Sequence, residues 1–337
     1  VKTVNSELPV LIIGQGLAGT ILAHTFLQKN IQVQIWNSPE SHFTSSVAAG
    51  GIFNPITGRK LEETWLATEL FDYLFPFYQN LSTTLSASFF HPMPLFRPFA
   101  NEESKKWLLA RKSEIDHAFL DWTEEGVWVK KAGWLDVPNF LNVSRTYFSE
   151  MGIYQDRVFD FDQALPKDSF SQIIFCEGFH AQSQNPYFGQ LPFLPAKGEI
   201  MLFKNESIQE ESILNKNGFI LPIGHHEFKV GATYRWDDLS ENPHTDAIND
   251  LEKKLQSFGV SDYEVLKVIC GVRPATQDRR PFVGFHPNLP CAIFNGFGSK
   301  GVSLIPYFAN EMVNEWMDLG QVNLEASIRR YNHLFSI

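Results

Sequence analysis

Val10 to Ile13 is an unbroken apolar run, the pattern of a parallel strand covered on both faces. Gly14-Gln15-Gly16-Leu17-Ala18-Gly19 follows at once, then helix-favouring residues from Thr20 to Lys29. Next comes Ile31 to Trp36, alternating and β-branched, ending at Asn37. The order predicts strand, glycine turn, helix, strand in about 30 residues. The uncharged stretch Leu8 to Gln28 is long enough to suggest a membrane span, but three glycines, Pro9 and His24 break it, so strand-turn-helix is the better match. His24 is expected to be packed or to cap a neighbour.

Two later stretches follow other rhythms. From about Lys60 to Lys131, helical periodicity over Glu102 to Phe119 accompanies a Pro/Phe-rich piece, Phe89 to Phe99. From about Pro186 to Lys267 the chain alternates as strands do, over Gly198–Phe203, Gly218–Pro222 and Phe228–Thr233, and a helix over Thr245 to Phe258 closes it. His225-His226 resembles a metal pair, yet adjacent strand residues point to opposite faces, so a hairpin turn is expected and no metal site. After Ile293 the pattern predicts strand end, glycine turn and a helix over Tyr307 to Leu319.

The fold class implied is α/β: a Rossmann-like dinucleotide-binding domain (residues 1–59, 132–185 and 268–337) with a largely antiparallel α+β substrate domain (60–131 and 186–267) inserted twice. A length of 337 residues suits two domains, and 44% hydrophobic residues suit a large core. The 30 Phe among 47 aromatics could roof a cavity or fill the core between domains. A net charge of −10 argues against a broad phosphate-binding surface. Three widely spaced cysteines, Cys176, Cys270 and Cys291, disfavour a disulfide framework and a zinc site, and point to buried thiols in a reducing, cytoplasmic setting. The apolar run before Gly14 is too short for a signal-peptide core.

The glycines have separate jobs. Gly14 permits a tight turn, Gly16 lets a pyrophosphate approach the backbone, and Gly19 lets the helix sit close on the strand. Leu17 and Ala18 open the helix, whose free N–H groups and positive dipole end favour phosphate. An acid normally ends the second strand and accepts both ribose hydroxyls. Asn37 stands there instead, able to accept but without charge. The following run from Thr44, with Ser45, Ser46, Ala48, Ala49, Gly50 and Gly51, lacks the pattern of the crossover helix expected of a nicotinamide dehydrogenase. Small residues there would admit a second large group; a surface loop is the alternative. No H-E-x-x-H, G-x-S-x-G or G-x-x-x-x-G-K-[ST] pattern occurs, which leaves zinc proteolysis, serine hydrolysis and P-loop chemistry without support.

The ordered set Gly14–Gly19, Ser45–Gly51, Ile173–Gly178, Gly271–Gly284 and Gly296–Gly301 resembles the D-amino-acid-oxidase-type superfamily of FAD-dependent oxidoreductases, on its glycine oxidase/sarcosine oxidase branch. It is also similar to the flavin domain of the bacterial enzyme that trims a carboxymethylaminomethyl group from tRNA wobble uridine. The resemblance implies FAD, with its adenine held by the first motif and by a strand near Arg157-Val158. Cys176 and Gly178 would close over the dinucleotide, and Gly296, Gly298, Ser299, Lys300, Gly301 and Val302 would meet the flavin ring. Cys270 lies one residue away from the position at which some relatives attach flavin, so the FAD is expected to be noncovalent and Cys270 a core thiol.

The same resemblance assigns Arg273 to a substrate carboxylate, which a guanidinium grips as a fixed fork. The alternative is an ion pair with Asp278 or another acid that fastens the domains. Lys300 could stabilise a reduced ring or simply be a solvated turn lysine, and Tyr234 could line the substrate side. The implied activity is oxidation of the C–N bond of a small amine or amino acid by hydride transfer to flavin N5, without an obligatory side-chain base. Trimming of a modified tRNA uridine and FAD binding without turnover are the rival readings. The partner expected is a small-molecule amine, with neither nucleic acid nor a membrane span.

Overall fold

The run Val10–Ile13 forms β1, a central strand of a six-stranded sheet, in a computed structural model that describes residues 8–39, 45–115 and 118–335. Numbered in chain order, the other strands of this sheet are β2 (Val33–Asn37), β11 (Tyr154–Asp156), β12 (Gln172–Phe175), β18 (Phe282–Phe285) and β19 (Cys291–Asn295). They lie in the order β11-β2-β1-β12-β19-β18, all parallel except β18. Register levels their carboxyl ends: Ile13 faces Trp36 on one side and Phe175 on the other, and Phe175 faces Ile293. The glycine turns of the sequence therefore open on one edge, where parallel sheets bind their ligands.

Helix α1 (Leu17–Gln28) is buried along most of its length between this sheet, α5 (Val137–Glu150) and α8 (Gly301–Trp316). Close approach is possible because Gly19 lacks a side chain: a Cβ there would lie 1.9 Å from the Gly14 carbonyl oxygen. His24 is packed as expected, with Nε2 2.9 Å from Ser144 Oγ and Phe148 at 4.6 Å; burial pushes its imidazole down to about 3, so it is neutral.

Helix α8 starts six residues before the expected Tyr307. Pro306 sits inside it and cannot donate to the Val302 carbonyl one turn back. The fully buried Tyr78 hydroxyl, on α2 (Ala67–Thr84), donates to that carbonyl at 2.9 Å. Tyr78→Phe orphans it, and the expected cost is about 1–3 kcal/mol of stability, read as a lower denaturant midpoint with an unchanged slope.

The second large sheet has eight strands, ordered β17-β13-β16-β15-β14-β7-β9-β8. These are β7 (Leu95–Pro98), β8 (Leu120–Trp122), β9 (Gly126–Val129), β13 (Ala196–Lys204), β14 (Ile213–Asn215), β15 (Phe219–Gly224), β16 (Glu227–Gly231) and β17 (Glu264–Arg273). All neighbours are antiparallel except β14 and β7, which join the two sequence stretches into one sheet. Short sheets β3-β10-β6 (Ile52–Phe53, Gly133–Leu135, Phe90–Pro92) and β4-β5 (Ile56–Thr57, Glu62–Glu63) complete the strands among the described residues. His225 and His226 form the β15–β16 turn, both at φ +58°, as a two-residue hairpin requires.

Several expectations are corrected. Glu102 to Phe119 is not one helix but α3 (Glu102–Ala110) and α4 (Lys112–Ile115), with residues 116 and 117 outside the described ones. The Pro/Phe-rich piece supplies β6 and β7. Helices α2 and α5 had no clear signal: α2 crowds its aromatics and leucines between Leu70 and Leu81 with Pro76 inside, and it packs on α8. The remaining α-helices among the described residues are α6 (Ala181–Gln184) and α7 (Ala247–Ser257). Phenylalanines serve both expected purposes. Phe71, Phe77, Phe89 and Phe140 fill the core around α2 and α5, whereas Phe53 and Phe219 reach a cavity between the two large sheets.

Candidate functional site

A cavity of about 760 Å³ lies between the two large sheets, within the size range of cofactor and ligand sites. One wall is the carboxyl edge of the six-stranded sheet, with Gly14, Gly16, Leu17, Ala18, Asn37 and Cys176; the other holds Gly198, Ile200, Phe219 and Arg273. Ser45, Ser46, Ala48, Ala49, Gly50 and Gly51 cross between them as turns rather than a helix. Thr44 lies outside the described residues. Val158, Gly178, Gly298, Ser299, Lys300, Gly301 and Val302 also line it. The residues picked from five separated segments thus meet in one place.

Three do not face it. Gly19 is a packing residue between α1 and β1, and Gly296 is another, its would-be Cβ 2.8 Å from Thr276 Cγ2. Tyr234 is half-exposed outside the cavity, its ring tilted against Trp236 at 4.7 Å with the Arg273 guanidinium 5.0 Å from it. The strand expected near Arg157-Val158 is β11, which ends at Asp156; both residues follow it, and Val158 is 60% exposed. Cys270 is no core thiol either. On edge strand β17 it is partly exposed and donates to the Glu241 carbonyl, whereas Cys176 and Cys291 are buried.

The glycine loop is built as the pattern predicts. Gly14 takes φ +101°, and a Cβ there would sit 2.7 Å from the Cys176 carbonyl, so β1 and β12 end in contact. Gly16 caps α1, and a Cβ on it would meet nothing nearer than Ser46 Oγ at 3.5 Å, leaving its backbone open to the cavity. Ser46 Oγ accepts the Leu17 N–H at 3.2 Å. Asn37 turns out to brace this loop: its Oδ1 accepts the Gln15 N–H at 2.8 Å and its Nδ2 donates to the Ser38 carbonyl. Beside it the Arg157 guanidinium lies 3.8 Å from the Trp36 ring.

Arg273 lies at the end of β17, facing the position of Gly198, where a Cβ would be 2.0 Å from its Nη2. Its guanidinium donates to two carbonyls, Lys197 (3.2 Å) and Thr233 (3.4 Å), and no carboxylate pairs with it among the described residues. Asp278 is engaged elsewhere, accepting from Arg330 and Tyr331. Burial lowers the Arg273 pKa, and Tyr234 and Glu199 oppose that shift. Lys300 also lacks a carboxylate partner among the described residues, and burial pushes its amine down to about 8.

Behind Gly198, on the opposite face of β13, Lys197 and Glu199 are wholly buried. Lys197 donates to Asp238 (2.7 Å), Ser240 (2.9 Å) and the Asn242 carbonyl; Glu199 accepts from Thr233 Oγ1 and from the His244 N–H. This network fastens the segment that carries Tyr234, Trp236 and Glu241. Sequence reasoning missed it, as it missed Gly198, Trp36 and Glu177. Lys197 and Glu199 could have been found as charges two apart in a strand whose other positions up to Phe203 are apolar or small.

The chain matches the FAD dependent oxidoreductase family over residues 9–315. It is 26% identical over 151 residues to a glycine oxidase of Bacillus licheniformis, a match covering 41% of each chain. It is 24% identical over 391 aligned positions to the tRNA 5-methylaminomethyl-2-thiouridine biosynthesis bifunctional protein MnmC of Legionella pneumophila (strain Corby), covering 96% of this chain and 55% of that one. The matched parts are thus about half the length of these relatives, or less. Among solved structures, glycine oxidase from Bacillus cereus ATCC 14579 superposes with a TM-score of 0.76 over 97% of each chain at 18% identity. The match along nearly the whole chain, with the glycine turns gathered at one sheet edge, makes this protein a member of the FAD dependent oxidoreductase family.

Proposed function

We propose that the chain holds FAD in this cavity, without a covalent link, and oxidises the C–N bond of a small amine or amino acid bearing a carboxylate. The observation carrying this reading is Arg273, a cavity-lining guanidinium without an acidic partner among the described residues. The residues fit the cofactor: Gly16 offers open backbone at the α1 N-terminus, and the cavity runs from there to the second sheet. Bound FAD would supply the electron sink, taking hydride at N5 from the carbon next to nitrogen. Residues 1–59, 132–185 and 268–337 would hold it, and 60–131 with 186–267 would receive substrate.

The protein's own part is binding, orientation and charge. Two Arg273 N–H groups are spent on carbonyls, which fixes the plane of the guanidinium and leaves the others for a carboxylate. Tyr234 supports the guanidinium from outside. Ile200 and Phe219 wall off water beside Gly50, whose missing side chain lets Phe219 come close (a Cβ would be 2.9 Å from its Cζ). No base is assigned, because a neutral amine can lose the electrons itself.

Lys300 would favour negative charge on a reduced ring. Its amine is charged below pH 8 and loses the proton as pH rises through that value. Anaerobic bleaching of bound flavin by substrate should therefore slow above pH 8 in the native protein once substrate ionisation is allowed for. Lys300→Met should be slower throughout and lack that component; stopped-flow absorbance decides.

A second reading, action on a modified tRNA uridine, draws on the similarity to MnmC over 96% of this chain. The charge of −10 opposes it. A gel shift with tRNA at two salt concentrations tests it, since phosphate-driven binding falls steeply with salt.

A further inference from the structure

Glu177 is a cavity-lining acid for which the oxidation chemistry has no use. It follows β12 and starts beside the glycine loop: a Cβ on Gly14 would be 3.6 Å from its backbone nitrogen. Its Oε2 accepts from Asn185 Nδ2 at 2.7 Å, and no cation pairs with it among the described residues. Asn185 is itself held, with Oδ1 accepting the Tyr187 and Phe188 N–H groups, so it cannot swing away.

A cavity-lining carboxylate without a cation, on the segment whose backbone meets Gly14 of the glycine loop, is a conflict of like charges when a dinucleotide enters. Where two such groups share a site of low dielectric, one keeps a proton. On its own segment the titratable neighbours are Cys176 and His180; around the cavity stand Arg157, Glu241, Arg273 and Lys300. Of these only Cys176 couples to Glu177, and it brings no positive charge. Burial pushes the carboxyl up to about 7, against a smaller downward pull from the Asn185 hydrogen bond. The protein is thus poised to accept that proton near neutrality.

We infer that Glu177 holds FAD as a neutral carboxylic acid, its O–H donating to the dinucleotide, so that cofactor capture takes up one proton and weakens as pH rises. The inference rests on FAD being the cavity's occupant. The balance is simple: ionised Glu177, one proton and FAD give the complex, and no electrons move.

The test is FAD titration of flavin-stripped protein by fluorescence between pH 6 and 9, for the native chain and Glu177→Gln. The native Kd should be flat at the acid end and rise toward about tenfold per pH unit at the alkaline end. Glu177→Gln, a permanent neutral donor, should bind without that rise. Calorimetry at pH 8 in two buffers of different ionisation enthalpy should show uptake approaching one proton for the native chain and none for the variant. Should the variant not fold, calorimetry on the native chain and on Lys300→Met still decides, because it separates the Glu177 proton from any taken up by Lys300, whose amine also titrates near pH 8.

Parallel pH curves, or no proton uptake, overturn the inference. So does binding abolished by EDTA and restored by Mg²⁺, which would mean an ionised Glu177 bridged by a cation. If neither protein binds FAD at any pH, the cofactor reading fails first and this one with it.

Discussion

Replacing Arg273 by methionine is expected to lower kcat/KM for carboxylate-bearing amines by two to three orders of magnitude while the flavin stays bound. Truncating one partner of a buried, hydrogen-bonded charge pair costs about 2–5 kcal/mol, and each 1.36 kcal/mol is about tenfold in rate. Arg273→Lys should recover little, because an ammonium cannot reproduce the planar fork that the Lys197 and Thr233 carbonyls set. Amines without a carboxylate should be barely affected, and steady-state kinetics on matched pairs of substrates reads the difference. Equal losses for both kinds would show that Arg273 holds the β13–β17 junction rather than the substrate.

The second large effect is expected at Gly19. Valine there places a Cβ 1.9 Å from the Gly14 carbonyl and 3.1 Å from its carbon, against backbone that cannot rotate away. Helix α1 must lift from β1, and since α1 also packs on α5 and α8, the displacement reaches the core on both sides. Overpacking of this kind costs about 1–3 kcal/mol and more where backbone is struck. The turn that opens the α1 N-terminus to the cavity moves with it, so loss of flavin should exceed the loss of melting temperature. Comparing bound flavin per chain with thermal unfolding of the stripped protein separates the two.

The part of the fold that could be read from sequence was the part whose physics is local. Val10–Ile13, the glycine turn and Ile31–Trp36 differ so sharply in pattern that β1, α1 and β2 fall within a few residues of where expected. The strands β13, β15 and β16 and helix α7 were legible for the same reason. What stayed hidden depended on distant partners. Pro306 marks a helix boundary in isolation, and only Tyr78, 228 positions earlier in the chain, lets the helix run through it. Asn37 reads in the sequence as a weakened ribose ligand, and only the fold puts the Gln15 N–H on its oxygen. Gly198 carried no signal at all, because its reason is the guanidinium of a residue on the neighbouring strand. In the site, glycines were visible since backbone geometry demands them, whereas Trp36 and Glu177 depend on which way a strand end points.

The central claim is that the glycine turns meet around one FAD, set against Arg273 so that a carboxylate-bearing amine can reduce it. The most direct measurement is the visible spectrum of the purified protein with FAD, recorded anaerobically before and after glycine, sarcosine, iminodiacetate and longer N-substituted amino acids are added in turn. The expected result is a yellow protein whose flavin bands bleach with at least one of these and return on admission of oxygen or an artificial acceptor. A protein that stays colourless with FAD, or a bound flavin that none of them bleaches, would contradict it.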